Sequence, residues 1–348
     1  MSHETHDRIS ALRAPHVASD GAVAVGALTV PFSAFASDDA RRTFLSGLQP
    51  PPPEIANDVA ALRAHFGAFN DRLCGRMLEV FDVRIEETTI GAVRVHRVCP
   101  TAPSLPDPRV LLNLHGGAFM WGSGSGALVE AIPIAATSGL PVVAVDYRLA
   151  PEHTFPAASD DVQRVYEALL TTTPAAAIGV YGCSAGAILT AQSVAQFSRH
   201  DLPPPGAIAM LGGAGLLPSG DSGHTASALC GEPAPAAPVE EVAVPALQPY
   251  FGGVAFDDPR AVPGLDADLL ARFPPSMLVG GSRDFTLSSM TAMHRRLLAQ
   301  GVRAELVVFD GLWHAFHIFP DLPESREVYG LLSRFFHSTL TPSRGTNP

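Results

Sequence analysis

The chain has 348 residues, of which 47% are hydrophobic; this suits a large core, but no run of eighteen apolar residues predicts a membrane-spanning helix. The net charge of −11 and the lack of a basic block argue against nucleic acid as a partner. Lysine is absent, which excludes a phosphate-binding P-loop, a pyridoxal phosphate Schiff base and a Ser-x-x-Lys esterase site.

The four cysteines are scattered along the chain and form no C-x-x-C pair: Cys74, Cys99, Cys183 and Cys230. They predict neither a zinc site nor a disulfide framework, so reduced thiols are expected. Residues 1–8 lack the apolar stretch of a signal peptide. We therefore expect a cytoplasmic location and no stable insertion into a membrane.

Helical patterns dominate the first eighty residues. A capped helix start is predicted at 37–45, prolines interrupt the chain at 50–53, and a second helix is predicted over 55–77. Strand-like alternation begins at residue 83. We therefore assign residues 1–82 to an N-terminal helical cap segment.

Apolar strands and helical stretches then alternate. Continuous apolar runs such as 110–112 and 142–145 suit strands that are buried on both faces of a parallel sheet, and the helices between them suit crossover connections. The pattern predicts an α/β fold with a mostly parallel central sheet and helices on both faces, formed by residues 83–215 and 264–340. The strands are predicted at 83–85, 93–98, 109–115, 141–147, 177–182, 207–211, 276–280 and 304–309.

The alternation stops between residues 216 and 263, which are rich in proline, glycine and alanine. A long irregular segment inside a compact domain is usually either disordered or a functional lid. Because this segment lies between two sheet strands, we predict a cap or lid insertion. The tail, 341–348, is expected to fray.

A G-x-S-x-G sequence at 182–186 lies between a predicted strand and a predicted helix. In that context the serine occupies a sharp turn, the nucleophile elbow, which exposes its hydroxyl. Ser184 is therefore the candidate nucleophile, and the N–H of Ala185 is a candidate donor to an oxyanion. A serine hydroxyl needs a base, because its proton must leave as the oxygen attacks.

The candidate acid and base follow the serine in the order that this chemistry takes on α/β sheets. Asp284 comes just after a predicted strand, although an aspartate there could also cap the following helix. His314 comes after the last strand, and His317 is its rival. Asp284 would orient the histidine, which would accept the proton of Ser184.

The sequence His-Gly-Gly-Ala-Phe at 115–119 follows another strand. Glycines there let backbone N–H groups approach a substrate oxygen, although a Gly-Gly pair is also common in ordinary turns. Gly116 and Gly117, together with Ala185, are the predicted donors of an oxyanion hole. Ala118 retains an N–H and can replace one of them if its φ is negative.

Together these residues resemble the hormone-sensitive-lipase-like branch of the α/β-hydrolase esterases, bacterial family IV, from about 84 to 337. The family motifs H-G-G-G-F, D-Y-R-L-A-P-E-H and G-D-S-A-G match at 115–119, 146–153 and 182–186. The resemblance implies an α/β-hydrolase fold with a helical cap and a serine carboxylesterase that cleaves small, short-chain acyl esters. It implies no metal or organic cofactor, and a homodimer that can form through an edge strand.

Three positions depart from the family pattern. Ala118 stands in place of the third glycine, and Cys183 in place of the aspartate before the nucleophile. In the D-P-L-x-D-E motif the first aspartate is Asp284, and the second is replaced by Ser288. We interpret the D-Y-R-L-A-P-E-H stretch as mainly structural, with polar side chains that brace the loops near the site.

Two other functions stay open at this stage. A lactone hydrolase would use the same three residues, because ring shape is recognised by the cap. A non-catalytic protein that binds small molecules on this fold is disfavoured, because all three residues are present. Five side chains are predicted either as pocket walls or as core: Phe32, Phe35, Met120, Trp121 and Trp313.

Overall fold

The computed structural model describes residues 16–17, 19, 23–24, 29–47, 52–55, 58–101, 107–230, 247–255 and 257–341. The proline-rich centre of the predicted lid, at 231–246, and the predicted tail from 342 onward lie outside the described residues. The chain divides into two units, residues 1–33 and residues 34–348. In the first unit, strands β1 (His16–Val17) and β2 (Val23–Ala24) pair antiparallel.

An eight-stranded sheet forms the centre of the second unit, with strand order β3-β4-β6-β5-β7-β8-β9-β10. Strand β4 runs antiparallel to both of its neighbours, and the other pairings are parallel. The predicted α/β fold and all eight predicted strands are confirmed. The strands are β3 (Val83–Ile90), β4 (Val93–Pro100), β5 (Val110–Leu114), β6 (Val142–Val145), β7 (Ile178–Cys183), β8 (Ala207–Leu211), β9 (Ser276–Arg283) and β10 (Ala304–Trp313).

Helices precede the sheet and connect its strands. They are α1 (Asp38–Gly47), α2 (Val59–Val80), α3 (Ser125–Ser138), α4 (Ala157–Leu170), α5 (Ala185–Arg199), α6 (Asp221–Cys230), α7 (Gln248–Phe251), α8 (Ala267–Leu270), α9 (Leu287–Ala299) and α10 (Pro323–Thr339). None of the helices in the described part of the chain is long and apolar enough to cross a bilayer.

The first residues of helices α1 and α2 are set by side chains that cap them. The Ser37 hydroxyl accepts a hydrogen bond from the Ala40 N–H at 3.0 Å, as predicted for the start of α1. Helix α2 begins at Val59 rather than at the predicted residue 55, because the Asp58 carboxylate accepts from the Ala61 N–H at 3.0 Å. Residues Pro53–Ile55 form a separate 3₁₀ turn. The cap assignments of 1–82 and 216–263 stay predictions.

The core lies on the faces of the sheet, under helices α3 and α5. Residues 185–197 of α5 are all buried, and α3 is buried along most of its length. A helix that is apolar all round belongs inside a protein. Strands β5 and β7 are neighbours at the centre of the sheet. The chain leaves β5 towards β6 on one side and leaves β7 towards β8 on the other side. Loops at the carboxyl ends of the two strands therefore meet at a topological switch point, where open α/β sheets carry their sites.

Candidate active site

The turn between β7 and α5 is sharp, as the G-x-S-x-G sequence predicts. Ser184 has a φ of +57° and a ψ of −120°, which the surrounding structure must hold in place. Its N–H donates to the Leu211 carbonyl at 2.8 Å. A Cβ at Gly186 would lie 1.8 Å from the Leu114 carbonyl oxygen, so only glycine lets the helix start this close to β5. The turn lifts the serine out of the sheet.

The structure brings together the three residues proposed for catalysis. His314 Nε2 lies 2.9 Å from Ser184 Oγ, and His314 Nδ1 lies 3.0 Å from Asp284 Oδ1. Ser184, Asp284 and His314 follow β7, β9 and β10, whose carboxyl ends lie at the same edge of the parallel sheet. The arrangement can carry a proton from the serine to the histidine.

His317, the rival base, lies apart from this line of hydrogen bonds. The bonds that reach Ser184 and Asp284 come from His314. Burial and, to a smaller extent, the positive charge of His314 together lower the pKa of His317 to about 3. A ring that stays neutral and buried near pH 7 belongs to the core.

Asp284 is almost wholly buried, and the charge of His314 together with hydrogen bonds favours its ionised form. Burial by itself would raise the pKa of the carboxyl; the charge of His314 and the bonds from His314 and Thr286 outweigh burial and leave the pKa below its ordinary value. The Thr286 N–H and hydroxyl donate to Oδ1 at 2.8 Å and 2.7 Å. The alternative that Asp284 caps the following helix is wrong, because the N-cap of α9 is Thr286 and no side chain caps it; Asp284 Oδ1 instead ties down the loop before the helix.

Cys183 stands beside the serine but does not expose its sulfur. The side chain is buried, and burial raises the pKa of the thiol well above its ordinary value, with Glu130 and Asp284 adding to the effect. A thiol that stays protonated is a poor nucleophile.

The loop formed by residues 115–119, here called the oxyanion loop, has an unusual backbone. Gly117, Ala118 and Phe119 have φ values of +113°, +51° and +60°. The condition of a negative φ at Ala118 is therefore not met. Two consecutive side-chain-bearing residues in the left-handed region require support from the surrounding fold.

Gly116 is the residue at which the structure corrects the sequence prediction. Its N–H donates to Glu130 Oε1 at 2.8 Å. This hydrogen bond contradicts the prediction that Gly116 is an oxyanion donor, because an N–H directed at a buried carboxylate does not also face a substrate. Gly116 still faces the nucleophile, since a Cβ added there would be 3.5 Å from Ser184 Cβ.

The next two peptide groups of the oxyanion loop are anchored by their carbonyl oxygens. His115 Nδ1–H donates to the Gly116 carbonyl at 2.7 Å, and the Gly117 carbonyl accepts from the N–H groups of Met120 and Trp121 at 2.8 Å and 3.0 Å. In a trans peptide the N–H points away from the carbonyl of the same plane. The N–H groups of Gly117 and Ala118 are thus turned away from these anchors.

Comparison with known proteins agrees with the fold described above. A family model described as α/β-hydrolase fold matches residues 111–318. The chain belongs to the α/β-hydrolase fold family. Within that family it is a carboxylic ester hydrolase of the hormone-sensitive-lipase-like branch. The proteins that it resembles include an esterase, an acetyl-hydrolase and an esterase of the bacterial hormone-sensitive lipase family.

An esterase of Acinetobacter venetianus is 27% identical over 271 residues, which cover 76% of this chain and 86% of the relative. An acetyl-hydrolase of Streptomyces hygroscopicus is 26% identical over 238 residues, covering 68% of this chain and 78% of the relative. The crystal structure of an esterase from the bacterial hormone-sensitive lipase family superposes with a TM-score of 0.69. It is 27% identical, and the match covers 84% of this chain and 100% of that one.

The D-Y-R-L-A-P-E-H stretch of this hydrolase braces the oxyanion loop, as predicted. The Tyr147 hydroxyl donates to the His115 carbonyl at 2.7 Å, and its ring stacks on the His115 ring with centroids 4.2 Å apart. Glu152 pairs with Arg63 of α2 at 2.7 Å, and the same guanidinium donates to the carbonyls of Met120 and Ala150. The stretch thus joins α2, the oxyanion loop and the sheet.

Ser288, which replaces the second aspartate of the acid motif, contacts helix α6. The Ser222 hydroxyl accepts from the Ser288 N–H at 2.8 Å, and the Ser288 hydroxyl accepts from the Ser222 N–H at 3.0 Å. The Ser222 hydroxyl also donates to the Phe285 carbonyl at 2.9 Å. A reciprocal pair of serines thus fastens the predicted lid segment to the loop that carries Asp284.

The predicted pocket walls divide into different environments. Met120 and Trp313 are buried and belong to the core. Trp121 is half-buried and stacks on Phe66 with centroids 4.4 Å apart. Phe35 is largely exposed, and Phe32 belongs to the first unit of the chain. No group of three or more His, Cys, Asp or Glu side chains in the described ranges could hold a metal ion.

Sequence reasoning missed Glu130, the acid behind the oxyanion loop. The available signal was a single carboxylate in the otherwise apolar run 127–136 of α3. A charged residue in a helix that is apolar all round must find a partner inside the protein.

Proposed function

We propose that this hydrolase cleaves small, short-chain acyl esters through a catalytic triad of Ser184, His314 and Asp284. The observation that carries the proposal is the continuous line of hydrogen bonds from Ser184 Oγ to His314 Nε2 at 2.9 Å and from His314 Nδ1 to Asp284 at 3.0 Å. A nucleophile, a base and an orienting carboxylate within hydrogen-bond reach are the geometric signature of covalent catalysis by serine.

In the first half-reaction, Ser184 Oγ attacks the ester carbonyl while His314 Nε2 takes the hydroxyl proton. The charged Asp284 keeps the proton on Nδ1 and stabilises the imidazolium that forms. The tetrahedral intermediate then collapses: the bond to the alcohol oxygen breaks, and His314 returns the proton to that oxygen. The products of this half-reaction are a free alcohol and an ester of Ser184.

In the second half-reaction, water takes the place of the alcohol. His314 removes a proton from the water, whose oxygen attacks the acyl carbon, and the carboxylic acid leaves as Ser184 regains its proton. Both halves need a neutral His314, because an imidazolium cannot accept a proton. Activity therefore falls as the pH is lowered and His314 becomes protonated.

The oxyanion of each tetrahedral intermediate is held by the N–H groups of Gly117, Ala118 and Ala185. The positive φ of Ala118 does not remove its N–H, so a negative φ is not required for donation. Three observations support this set over the predicted one. The Gly116 N–H is bonded to Glu130. The carbonyls in the planes of the Gly117 and Ala118 N–H groups are anchored on the opposite side. Ala185 is the first residue of α5, where N–H groups have no partner within the helix.

The preference for short acyl chains rests on similarity to the acetyl-hydrolase of Streptomyces hygroscopicus. A series of p-nitrophenyl esters from acetate to decanoate, measured beside a panel of lactones, tests this preference directly. We expect the highest kcat/KM at acetate or butyrate and slower turnover of the lactones. A maximum at decanoate, or faster turnover of a lactone, would contradict the substrate class while leaving the triad in place.

Replacement of Ser184 by alanine tests the triad itself. With p-nitrophenyl acetate, Ser184→Ala should lower kcat by on the order of 10⁴-fold or more, because the attacking oxygen is lost. Cys183→Ala is the matched control: it removes the neighbouring nucleophilic atom, which is buried, and should leave turnover close to that of the unmodified enzyme. Retained activity in Ser184→Ala, or its loss in Cys183→Ala, would refute the assignment of the nucleophile.

A further inference from the structure

Glu130 is a buried acid for which the triad mechanism has no use. It lies on α3 with 7% of its surface exposed, between Val129 and Ala131, which are buried as well. Burying a carboxylate is costly unless it is hydrogen-bonded, so the protein must gain something from this side chain.

The side-chain hydrogen bonds of Glu130 are made with residues of the strands and loops around the nucleophile. Oε1 accepts from the Gly116 N–H at 2.8 Å, and Oε2 accepts from Asn113 Nδ2 at 3.2 Å. Burial raises the pKa of this carboxyl to about 7, although bonds from Gly116 and Asn113, the Cys183 backbone and the charge of His314 favour its ionised form. The side chain therefore links the carboxyl end of β5 to the end of β7.

Gly116 is the point through which this acid can act on the reaction. Its N–H faces Glu130, and its carbonyl belongs to the same peptide plane as the Gly117 N–H. A Cβ added at Gly116 would lie 3.5 Å from Ser184 Cβ, so the residue also faces the nucleophile. A rotation of the Gly116 backbone would therefore turn the Gly117 N–H away from the oxyanion. Displacements of about 1 Å in such groups cost on the order of 10²-fold in rate.

We propose that Glu130 is a positioning residue that holds Gly116, and through it the donors of the oxyanion hole, in the orientation that the transition state requires. The proposal rests on the proposed function, in which Gly117 and Ala118 bind the oxyanion. Glu130 acts as a hydrogen-bond acceptor in this role. A neutral acceptor of the same shape can therefore take its place.

The neighbouring amide makes this exchange feasible. Asn113 Oδ1 is buried and has no hydrogen-bond partner in the described chain. If the Asn113 amide turns over, this oxygen can accept a hydrogen bond from a protonated Glu130 or from a glutamine amide. Gly116 keeps its acceptor in both cases. The pair thus holds the loop in either charge state of the acid.

The experiment compares Glu130→Gln with Glu130→Met, which has a similar volume but no acceptor for the Gly116 N–H. The assay is steady-state hydrolysis of p-nitrophenyl acetate, with active enzyme counted by titration with a fluorophosphonate. Glu130→Met should lower kcat by about 10- to 100-fold with little change in KM, because the lost alignment matters in the transition state. Glu130→Gln should stay within about threefold of the unmodified enzyme.

Glu324→Met is the matched control for a buried glutamate. Glu324 is 8% exposed and accepts hydrogen bonds from the N–H and hydroxyl of Ser37 at 2.6 Å and 2.9 Å, at the start of α10. This variant should lose stability but keep its kcat. If Glu130→Met does not fold, Asn113→Leu provides a second variant, since it removes one of the donors to Glu130 and should lower kcat by a few-fold.

Three outcomes would overturn the inference. These are full activity in Glu130→Met or, if that variant does not fold, in Asn113→Leu; a loss in Glu130→Gln as large as in Glu130→Met; and an equal loss of kcat in Glu324→Met. Ser184→Ala, assayed in parallel, separates the two proposals. If Ser184→Ala stays active, the proposed function fails; if it is inactive while Glu130→Met is fully active, only the role of Glu130 fails.

Discussion

The nucleophile elbow and the oxyanion loop follow neighbouring strands and end at the same site, yet they are held in place in different ways. The elbow is fixed by its own backbone: glycine at 186 allows α5 to start against β5, and Ser184 takes the strained conformation between strand and helix. The oxyanion loop is fixed by distant side chains, with Glu130 and Tyr147 as its anchors. A motif that is fixed locally can be interpreted from its sequence, whereas one that is fixed from outside cannot.

The largest effect expected from this contrast is at the elbow. Gly186→Ala would place a Cβ 1.8 Å from the Leu114 carbonyl oxygen. That oxygen is a main-chain atom, and the Cβ is fixed directly to the main chain of α5, so neither can move aside. We expect a loss of more than about 4 kcal/mol in the free energy of unfolding, measured by urea denaturation. Gly75→Ala is the control, because a Cβ there would have no neighbour within 4 Å in helix α2. That change should stabilise the protein by about 0.5–1 kcal/mol.

The second effect concerns the titratable anchor of the oxyanion loop. The pKa of Glu130 is raised from its ordinary value of 4.5 to about 7, so the folded protein holds this proton more tightly than the unfolded chain. The contribution of Glu130 to stability is therefore lost as the pH rises from about 4.5 to about 7, by up to about 3 kcal/mol. Glu130→Gln removes this loss.

Urea denaturation of Glu130→Gln and of the unmodified enzyme at pH 5, 6, 7 and 8 measures the difference between their free energies of unfolding. The stability of Glu130→Gln relative to the unmodified enzyme should increase with pH and level off above pH 7. The neighbouring Tyr147, Tyr181 and Cys183 have pKa values raised by burial and stay neutral throughout. The charge of His314 acts on Glu130, so this interaction is part of the difference that is measured. A difference that does not vary with pH would show that Glu130 does not titrate in this range.

A smaller effect is expected at Tyr147. Tyr147→Phe keeps the ring that stacks on His115 but removes the hydroxyl that donates to the His115 carbonyl at 2.7 Å. A buried carbonyl left without this donor should cost about 1–3 kcal/mol of stability. Thermal unfolding measures the loss, and p-nitrophenyl acetate turnover should fall with it, since His115 and Gly116 form the same loop. Unchanged stability and turnover would mean that the hydroxyl is dispensable.

The smallest effect is at Ala118, whose φ of +51° is unfavourable for a residue with a Cβ. Ala118→Gly should relieve this strain and stabilise the protein by up to about 1 kcal/mol, with kcat nearly unchanged because the N–H is retained. Thermal unfolding and ester turnover measure the two quantities. A large loss of kcat would mean that the methyl group, and not only the surrounding contacts, keeps the loop in position.

Much of the molecule follows from local sequence signals. The strands were predictable because continuous apolar runs identify segments buried on both faces of a sheet, and Ser184, Asp284 and His314 could be nominated because each follows such a strand. The start of α2 was misplaced by four residues, because Pro53–Ile55 continue a turn and Asp58 is the residue that caps the helix. The hydrogen bonds between Ser222 and Ser288 could not be predicted from the sequence, since no motif contains both residues.

The sequence by itself determined the order of the strands along the chain, the sharp turn at Ser184 and the family to which this ester hydrolase belongs. These depend on short-range periodicity and on the backbone freedom of glycine. Only the tertiary structure decided that the Gly116 N–H is bonded to Glu130, the observation on which the proposed set of oxyanion donors depends. The position of the oxyanion loop depends on Glu130, fourteen residues from Gly116, and on Tyr147, thirty-two residues from His115. A hydrogen bond between such distant residues exists only once the helices have packed on the sheet.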